Sequence, residues 1–295
     1  MINRVDYLEK AKNAIEDNLD KLVPEKEELP FHILFEAARY SLLAPSKRLR
    51  PILTLATAEM LGSSWELAMQ PACTLEFVHT YSLIHDDLPC MDDDDLRRGK
   101  PTLHKIFPEG HAVLTGDYLL TQAFALLSTS PGLLDTQRIK LTSILAQRSG
   151  SLGMIGGQVM DLTSEGKPID FATLQQIHAR KTAAMISASV EFGAVVANAP
   201  AEVVNKLQTY GNEIGLAFQI VDDILDVTAD DEQLGKPAGS DIANDKVTYV
   251  SLLGLESARK CAVNHCESAL SVLKDIDAKT DVLEFIAEKV LNRSS

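Results

Sequence analysis

Apolar side chains recur at steps of three and four residues along most of the chain, which is the period of an amphipathic α-helix. The stretch FHILFEAARYSLLA at 31–44 shows this pattern clearly. Sustained alternation of apolar and polar residues, which would indicate β-strands, is almost absent. Clusters of proline and glycine interrupt the helical pattern and divide it into about ten segments. The sequence therefore predicts an all-α protein.

Three of the predicted helices are long, over residues 65–87, 170–197 and 201–228. They are apolar on more than one side, which is typical of helices at the centre of a bundle. Small residues lie inside them, among them Ala183, Ala184, Ala188 and Gly193. No stretch has the composition of an interdomain linker. We therefore expect one helical domain over residues 1–295, long enough to bury a sizeable core.

Composition narrows the range of partners. The net charge of −14 and the pI of about 4.9 argue against nucleic acid, because phosphate backbones are bound by clustered Lys and Arg. No run of 18 apolar residues occurs, so no transmembrane span is expected, and the acidic N-terminal segment is unlike a signal peptide. The four cysteines lack zinc-site or redox spacing and are expected to be thiols in a reducing cytoplasm: Cys73, Cys90, Cys261 and Cys266.

The segment HDDLPCMDDDDLRRGKP at 85–101 places six aspartates within ten positions. The apolar helix before it is predicted to end near Asp86 and Asp87, because Pro89 follows. Carboxylates there face the negative end of the helix dipole and also repel one another. A divalent cation such as Mg²⁺, which prefers hard oxygen ligands, would compensate this charge. For Asp93, Asp94 and Asp95 we accept in part the interpretation of an ordinary solvated acidic surface.

A second acidic group lies in GLAFQIVDDILDVTADD at 215–231, on a helix rich in apolar residues. Asp222 and Asp226 are four residues apart and share a helix face, with Asp223 beside them. Acids on a largely buried face need compensation. The spacing of an EF-hand is absent. A solvated surface could explain either motif alone, but the two together predict a paired metal site.

Basic residues near these motifs predict a polyphosphate ligand, since arginine forks onto phosphate oxygens and lysine acts as a mobile point charge. Taken singly, each cation could be an ordinary surface residue. Lys181 is the exception, because it lies in an apolar helix and its charge needs a partner. The candidates are Lys47, Arg48, Arg50, Arg97, Arg98, Lys100, Arg180, Lys181, Lys236 and Lys246.

These segments resemble the trans-isoprenyl diphosphate synthases, of the bacterial farnesyl diphosphate synthase type. LIHDDLPCMDDDDLRRGKPTLH and FQIVDDILDV resemble the two aspartate-rich motifs of that family, the first with Asp-Asp, four residues, then Asp. Further matching segments occur in the family's order: KRLRP (47–51), EFVHTYSLIHDD (76–87), GMIGGQVMDL (153–162), HARKTAAMI (178–186) and SDIANDKVTYV (240–250). The resemblance covers essentially the whole chain.

The resemblance implies an all-α bundle with a deep central cavity, the isoprenoid synthase fold, assembled as a homodimer. It implies condensation of isopentenyl diphosphate with dimethylallyl or geranyl diphosphate through an allylic cation. Three Mg²⁺ ions, with Mn²⁺ as an alternative, would be held by the two motifs. The implied metal-binding residues are Asp86, Asp87, Asp92, Asp222, Asp223 and Asp226.

The resemblance also assigns two diphosphate sites. The allylic diphosphate would be bound by Arg97, Lys181, Thr182, Gln219, Lys236 and Lys246. Isopentenyl diphosphate would be bound by Lys47, Arg50, His79 and Arg98. His79 lies two turns before Asp86 and shares its helix face, which favours this role over that of an ordinary core histidine. Pro45 and Ser46 replace the family's usual Gly-Gly pair, which weakens the assignment of Lys47.

Product length is expected to depend on Tyr81 and Ser82, about one turn before Asp86. A bulky residue such as Tyr81 would stop the growing chain early, so farnesyl diphosphate (C15) is the expected product, with C20 and C10 synthases as alternatives. A class I terpene cyclase and a non-catalytic partner subunit are more remote, because Asp-Asp-Ile-Leu-Asp is intact at 222–226. A purely structural acidic protein would not explain a buried Lys181.

Overall fold

The computed structural model describes residues 3–228 and 246–292, and it is almost entirely helical there. The first half contains α1 (Arg4–Leu22), α2 (Ile33–Leu42), α3 (Leu49–Met60), α4 (Trp65–Asp86), β1 (Leu96–Arg97), β2 (Lys100–Pro101), α5 (Leu103–Ile106), α6 (Glu109–Ser128) and α7 (Asp135–Ser149). The second half contains α8 (Met154–Ser164), α9 (Phe171–His178), a π-helical turn (Ala179–Ala183), α10 (Ala184–Val196), α11 (Ala201–Thr228), α12 (Tyr249–Leu253), α13 (Leu255–Lys274) and α14 (Asp281–Leu291). The prediction of an all-α fold is confirmed.

Helix α10 lies at the centre of the bundle, and every one of its residues is buried. It contacts α3, α4, α7 and α11, which explains why its sequence is apolar on all sides. The functional motifs lie on its neighbours, since α4 ends in the first aspartate motif and α11 carries the second. The core thus fixes the two acidic helices relative to each other.

Glycines allow these helices to approach closely. A Cβ on Gly211 of α11 would lie 2.6 Å from the Cα of Ser187, and one on Gly193 of α10 would lie 2.6 Å from the carbonyl oxygen of Thr54. Both distances are well below van der Waals contact, so any side chain would force the backbones apart. Close crossings of this kind set the width of the cavity wall.

The predicted helix over 170–197 is interrupted by one π-helical turn at Ala179–Ala183. The segment keeps its apolar period on both sides, so sequence pattern alone does not reveal the extra residue. Two glycines allow the neighbouring helices α8 and α11 to pack directly against this turn. A Cβ on Gly157 of α8 would be 2.3 Å from the backbone N of Lys181, and one on Gly215 of α11 would be 2.4 Å from the Cα of Ala183.

The only strands in the described residues form a small hairpin that the sequence did not predict, with Arg97 opposite Lys100. Its two-residue turn, Arg98–Gly99, has φ angles of 55° and 72°. Positive φ at both positions is typical of a type I′ turn, the favoured connection in tight hairpins. Elsewhere, none of the helices described here is long and apolar enough to cross a membrane.

Replacing a glycine by alanine should lower stability where two helices cross closely, but not where the glycine is exposed. Gly211→Ala should destabilise the protein by about 1–3 kcal/mol, because two buried backbones must separate. Gly110→Ala is the matched control: it lies on an exposed helix surface with no atom within 4 Å of the new Cβ, and it should be neutral or slightly stabilising. Denaturant unfolding measures both changes, and equal effects would contradict the packing argument.

Candidate active site

The end of α4 folds back on itself and brings two aspartates together. The backbone N–H of Asp92 donates to the carbonyl oxygen of Asp86 at 2.9 Å, and that of Asp93 donates to Leu88 at 3.1 Å. The four residues between Asp87 and Asp92 therefore form a closed loop that places Asp92 beside Asp86. Burial raises the pKa of Asp86, and the charge of Asp92 adds to this shift.

Lysines from two distant segments compensate this carboxylate pair. Among the neighbouring cations, Lys181 most favours the ionised form of Asp86 and so opposes the rise of its pKa. Lys246 Nζ lies 3.2 Å from Asp92 Oδ1. Both lysines were expected at the allylic diphosphate site. Lys236, which was expected there too, lies outside the described residues.

The hairpin turn directs Arg97 and Arg98 to different partners. Arg97 donates from Nε to Asp87 Oδ1 at 2.8 Å and from Nη2 to Asp94 Oδ2 at 2.6 Å. Burial raises the pKa of Asp87 to about 6, although Arg97 opposes the shift. Arg98 instead turns towards His79, with 3.4 Å between Nη2 and Nε2. Asp94 is therefore more than solvated charge.

Asp93 and Asp95 behave as the surface interpretation expects. Both side chains are exposed, with Asp95 Oδ1 2.7 Å from Lys105 Nζ and Asp93 Oδ1 3.9 Å from the same atom. Exposed ion pairs of this kind contribute little to stability. They lie at the outer edge of the acidic loop, away from the cations that surround Asp86.

A second group of cations surrounds His79. Burial lowers the pKa of Arg50 to about 10, and it also lowers that of Arg98, yet both stay charged at neutral pH. Burial and the two neighbouring guanidinium groups hold the pKa of His79 well below 6.5, so its ring is neutral. Glu76, which is buried on the same helix, favours the charged form of both arginines. Three of the residues expected to bind isopentenyl diphosphate are thus grouped together.

The π-helical turn presents Lys181 and Thr182 to α8 and α11. Lys181 is partly rather than fully buried, and its Nζ donates to Asp161 Oδ2 at 2.6 Å, which supplies the partner that its charge requires. Thr182 Oγ1 donates to Gln219 Oε1 at 2.8 Å. The wider turn and the glycines packed against it therefore position both side chains.

Asp223 holds two segments of the site together. Its Oδ1 accepts from Gln219 Nε2 at 3.2 Å, and its Oδ2 accepts from the backbone N–H of Tyr249 at 2.9 Å. Tyr249 begins α12, three residues after Lys246. This buried carboxylate therefore fixes the segment that carries Lys246, a role that the sequence did not indicate.

The remaining predicted residues lie on α11 and in the loop before α3. Asp222 is partly exposed on α11 and favours the charged form of Arg50, which brings the second motif within electrostatic reach of the basic group. Asp226 is buried one turn further along α11. Lys47 is exposed in the loop before α3.

Tyr81 and Ser82 occupy different environments on α4. Tyr81 is buried, and its ring stands edge-on to His85 with 5.8 Å between ring centroids. Its hydroxyl has no hydrogen-bond partner among the described residues. Ser82 Oγ donates to the carbonyl oxygen of His79 at 2.9 Å. Tyr81 therefore affects its surroundings through the volume of its ring rather than through a polar contact.

The carboxylates of this site have the donor chemistry that magnesium prefers. Within residues 3–228 and 246–292, no three Asp, Glu, His or Cys side chains converge into a complete metal cage. Mg²⁺ does not require one, because it keeps several waters and usually takes one or two carboxylates together with phosphate oxygens. Asp86 and Asp92 form such a pair, destabilised by mutual repulsion in the absence of a cation. These residues fit Mg²⁺ bound jointly with a diphosphate.

Sequence reasoning assigned no role to Asp161 or Glu76. Each carboxylate compensates the charge of predicted cations. Asp161 does so for Lys181, and Glu76 does so for Arg50 and Arg98. Both lie in segments that resemble the family, and the requirement of Lys181 for a partner pointed to an acid. The sequence separation of 20 residues between Asp161 and Lys181 conceals which acid it is.

The sequence profile of the polyprenyl synthetase family matches residues 31–288. The chain belongs to this family. Its relatives include geranylgeranyl pyrophosphate synthase 7, chloroplastic, of Arabidopsis thaliana, 45% identical over 92% of this chain and 78% of the relative. They also include the farnesyl diphosphate synthase of Bacillus subtilis (strain 168), 42% identical over 99% of both chains.

A solved polyprenyl synthetase relative, the geranyltransferase of Helicobacter pylori complexed with magnesium and isoprenyl diphosphate, has the same fold. It is 36% identical, with a TM-score of 0.84 over 97% of this chain and 96% of that one. The predicted resemblance, the isoprenoid synthase fold and the assignment as a prenyl-transferring enzyme are thereby confirmed.

Asp223 and Asp222 should respond differently to loss of charge in this polyprenyl synthetase. The carboxylate of Asp223 accepts hydrogen bonds from two donors, Gln219 and the backbone N–H of Tyr249. In Asp223→Asn the side-chain NH₂ group would face one of these donors and could not accept its hydrogen bond. The substitution should therefore destabilise the protein by about 1–3 kcal/mol. Asp222→Asn is the matched neighbour and, being partly exposed, should cost less stability. Urea unfolding in metal-free buffer measures both, and a reversed order would refute the anchoring role of Asp223.

Proposed function

We propose that the protein condenses isopentenyl diphosphate with dimethylallyl or geranyl diphosphate and releases mainly farnesyl diphosphate. The observation that carries this proposal is the division of the cations into two groups beside one acidic pair. Lys181 and Lys246 compensate Asp86 and Asp92, while Arg50, Arg98 and His79 form a separate group. Two cation groups on one cavity suit two diphosphate substrates.

The allylic diphosphate would lie against the first group. When its C1–O bond breaks, the electron pair leaves with the diphosphate, whose negative charge grows. Lys181 and Lys246 exchange their carboxylate partners for phosphate oxygens and stabilise that charge, with Arg97 nearby. Asp86, Asp92 and Asp222 would hold Mg²⁺, which would further neutralise the charge of the leaving group.

Isopentenyl diphosphate would bind to the second group. Arg50 and Arg98 remain charged in spite of burial and fork onto its phosphate oxygens, while the neutral ring of His79 donates one N–H. Its double bond then attacks C1 of the allylic cation, forming the new C–C bond. A proton is lost, and the released diphosphate accepts it. The reaction requires no enzyme nucleophile, but the apolar wall must exclude water from the cation.

Product length is proposed to follow from Tyr81. The farnesyl and geranylgeranyl synthases among the relatives are similarly close, so relatedness alone does not decide between C15 and C20. Tyr81 is buried one turn before the acidic pair, with its ring held by His85. A ring in this position closes the cavity floor, and Ser82 beside it is too small to do so.

We also propose a homodimer built on one catalytic domain per chain. Large apolar side chains are exposed on neighbouring helices α6 to α8, including Leu114 at 59%, Ile139 at 69% and Val159 at 57%. Large apolar side chains exposed on adjacent helices are typical of a protein interface. Binding of three ions per site and a cytoplasmic location stay predictions.

The function is tested by chromatography of products formed from isopentenyl diphosphate with each allylic primer. We expect mainly C15 product, and none when a chelator removes Mg²⁺. Formation of a hydrocarbon from farnesyl diphosphate alone would indicate a cyclase instead, and mainly C20 product would overturn the assignment of chain length.

Tyr81→Ala should lengthen the product to C20 or beyond, because it opens the cavity floor. Tyr81→Phe is the matched control and should leave product length unchanged, since the hydroxyl has no described hydrogen-bond partner. The same chromatography measures both variants. A shift to longer products in Tyr81→Phe, or none in Tyr81→Ala, would show that ring volume does not set chain length.

A further inference from the structure

Arg48 is an unusual residue for the interior of a protein. It is among the largest fully buried side chains, and its backbone is left-handed, with φ of 49°. Both features are unfavourable for an arginine, since a buried guanidinium loses its hydration and a left-handed backbone crowds Cβ. Arg48 lies between Lys47 and Arg50, which are both assigned to isopentenyl diphosphate, yet it is turned away into the core.

The guanidinium of Arg48 joins three helices. Its Nη1 donates to Glu76 Oε1 of α4 at 2.7 Å, and its Nη2 donates to the carbonyl oxygens of Leu42 and Ala44, at 2.9 and 3.1 Å, where α2 ends. Its Nε faces Glu16 Oε1 of α1 at 3.7 Å. A planar fork with several donors is suited to such divergent acceptors, whereas a lysine is not.

The same contacts define the loop in which the chain departs from its family. Pro45 and Ser46 stand where Gly-Gly is usual, and neither of these two described residues is left-handed. The left-handed turn falls at Arg48 instead. Ser46 Oγ lies 3.4 Å from Glu76 Oε1, the atom that also accepts from Arg48. Arg48 and Ser46 thus fix the loop 43–48 to one buried carboxylate.

That carboxylate connects the loop to the second cation group. Glu76 precedes His79 by three residues on α4 and therefore lies on its face of the helix. His79 contacts Arg98, and Arg50 lies in the first turn of α3, two residues after Arg48. A shift of Arg48 would move the start of α3, and with it both Lys47 and Arg50.

We propose that Arg48 is a positioning residue for isopentenyl diphosphate, whose fork holds the loop 43–48 and Glu76 so that Lys47 and Arg50 face the substrate. This inference rests on the proposed function. Arg48 itself does not touch the substrate, because its fork is already bonded inside the core. Its effect is therefore specific to one of the two substrates.

The test is steady-state kinetics of Arg48→Met and Arg48→Gly. Both should raise the KM for isopentenyl diphosphate about 10- to 100-fold, the effect of a displaced binding group, and change the KM for geranyl diphosphate less than about threefold. Arg48→Gly relieves the left-handed backbone, so a defect shared with Arg48→Met originates in the lost guanidinium. Arg48→Lys keeps the charge but not the fork and should recover only part of the affinity.

Arg39→Met is the matched control. Arg39 likewise donates to backbone carbonyls at a helix end, those of Asp20 in the last turn of α1 and of Val23 just after it, but it lies outside this group. It should lower stability without changing either KM.

Equal rises in both KM values, or an unchanged KM for isopentenyl diphosphate in Arg48→Gly, would overturn the inference. If Arg48→Met does not fold, Arg48→Gly and Arg48→Lys decide. Failure of the wild-type protein to use isopentenyl diphosphate would instead refute the proposed function.

Discussion

Charge compensation among partly buried side chains is the constraint on which the rest of the structure depends. Asp86 and Asp92 repel each other at the end of a helix whose dipole disfavours them, and lysines from the π-helical turn and the start of α12 offset that charge. The cations in turn need acids of their own, such as Asp161 for Lys181. The charges are balanced without ligands, and in the proposed function phosphate oxygens and metal would replace some of these partners.

The packing of the helix backbones determines which cations lie at the candidate site. Lys181 and Thr182 lie on a π-helical turn, and Gly157 and Gly215 let α8 and α11 press directly against it. A site on such a rigid wall keeps its geometry when its charges change partners, because helix positions in a close-packed core are not continuously adjustable. The fold therefore contributes positional precision, while the chemistry is supplied by a few exchangeable ion pairs.

Much of this site could be predicted from the sequence because it is encoded locally. The helical period defined the bundle, and the spacing of Asp86, Asp87 and Asp92 matched a loop that closes on itself. The roles of Asp161 and Glu76 could not be predicted, since their partners are distant in sequence. The π-helical turn was missed because one extra residue hardly disturbs an apolar pattern that is buried on every side.

Neighbouring cations show why residue type and spacing were insufficient. Arg97 and Arg98 are adjacent but have different partners. Lys47 and Arg48 are also adjacent, yet the first is exposed and the second is buried. In both cases a left-handed backbone separates them, at Arg98 and at Arg48. Arg98 and Arg48 are two of the four described non-glycine residues with positive φ. Such conformations are costly and persist where surrounding contacts impose them, so a strained backbone gives neighbouring cations different surroundings.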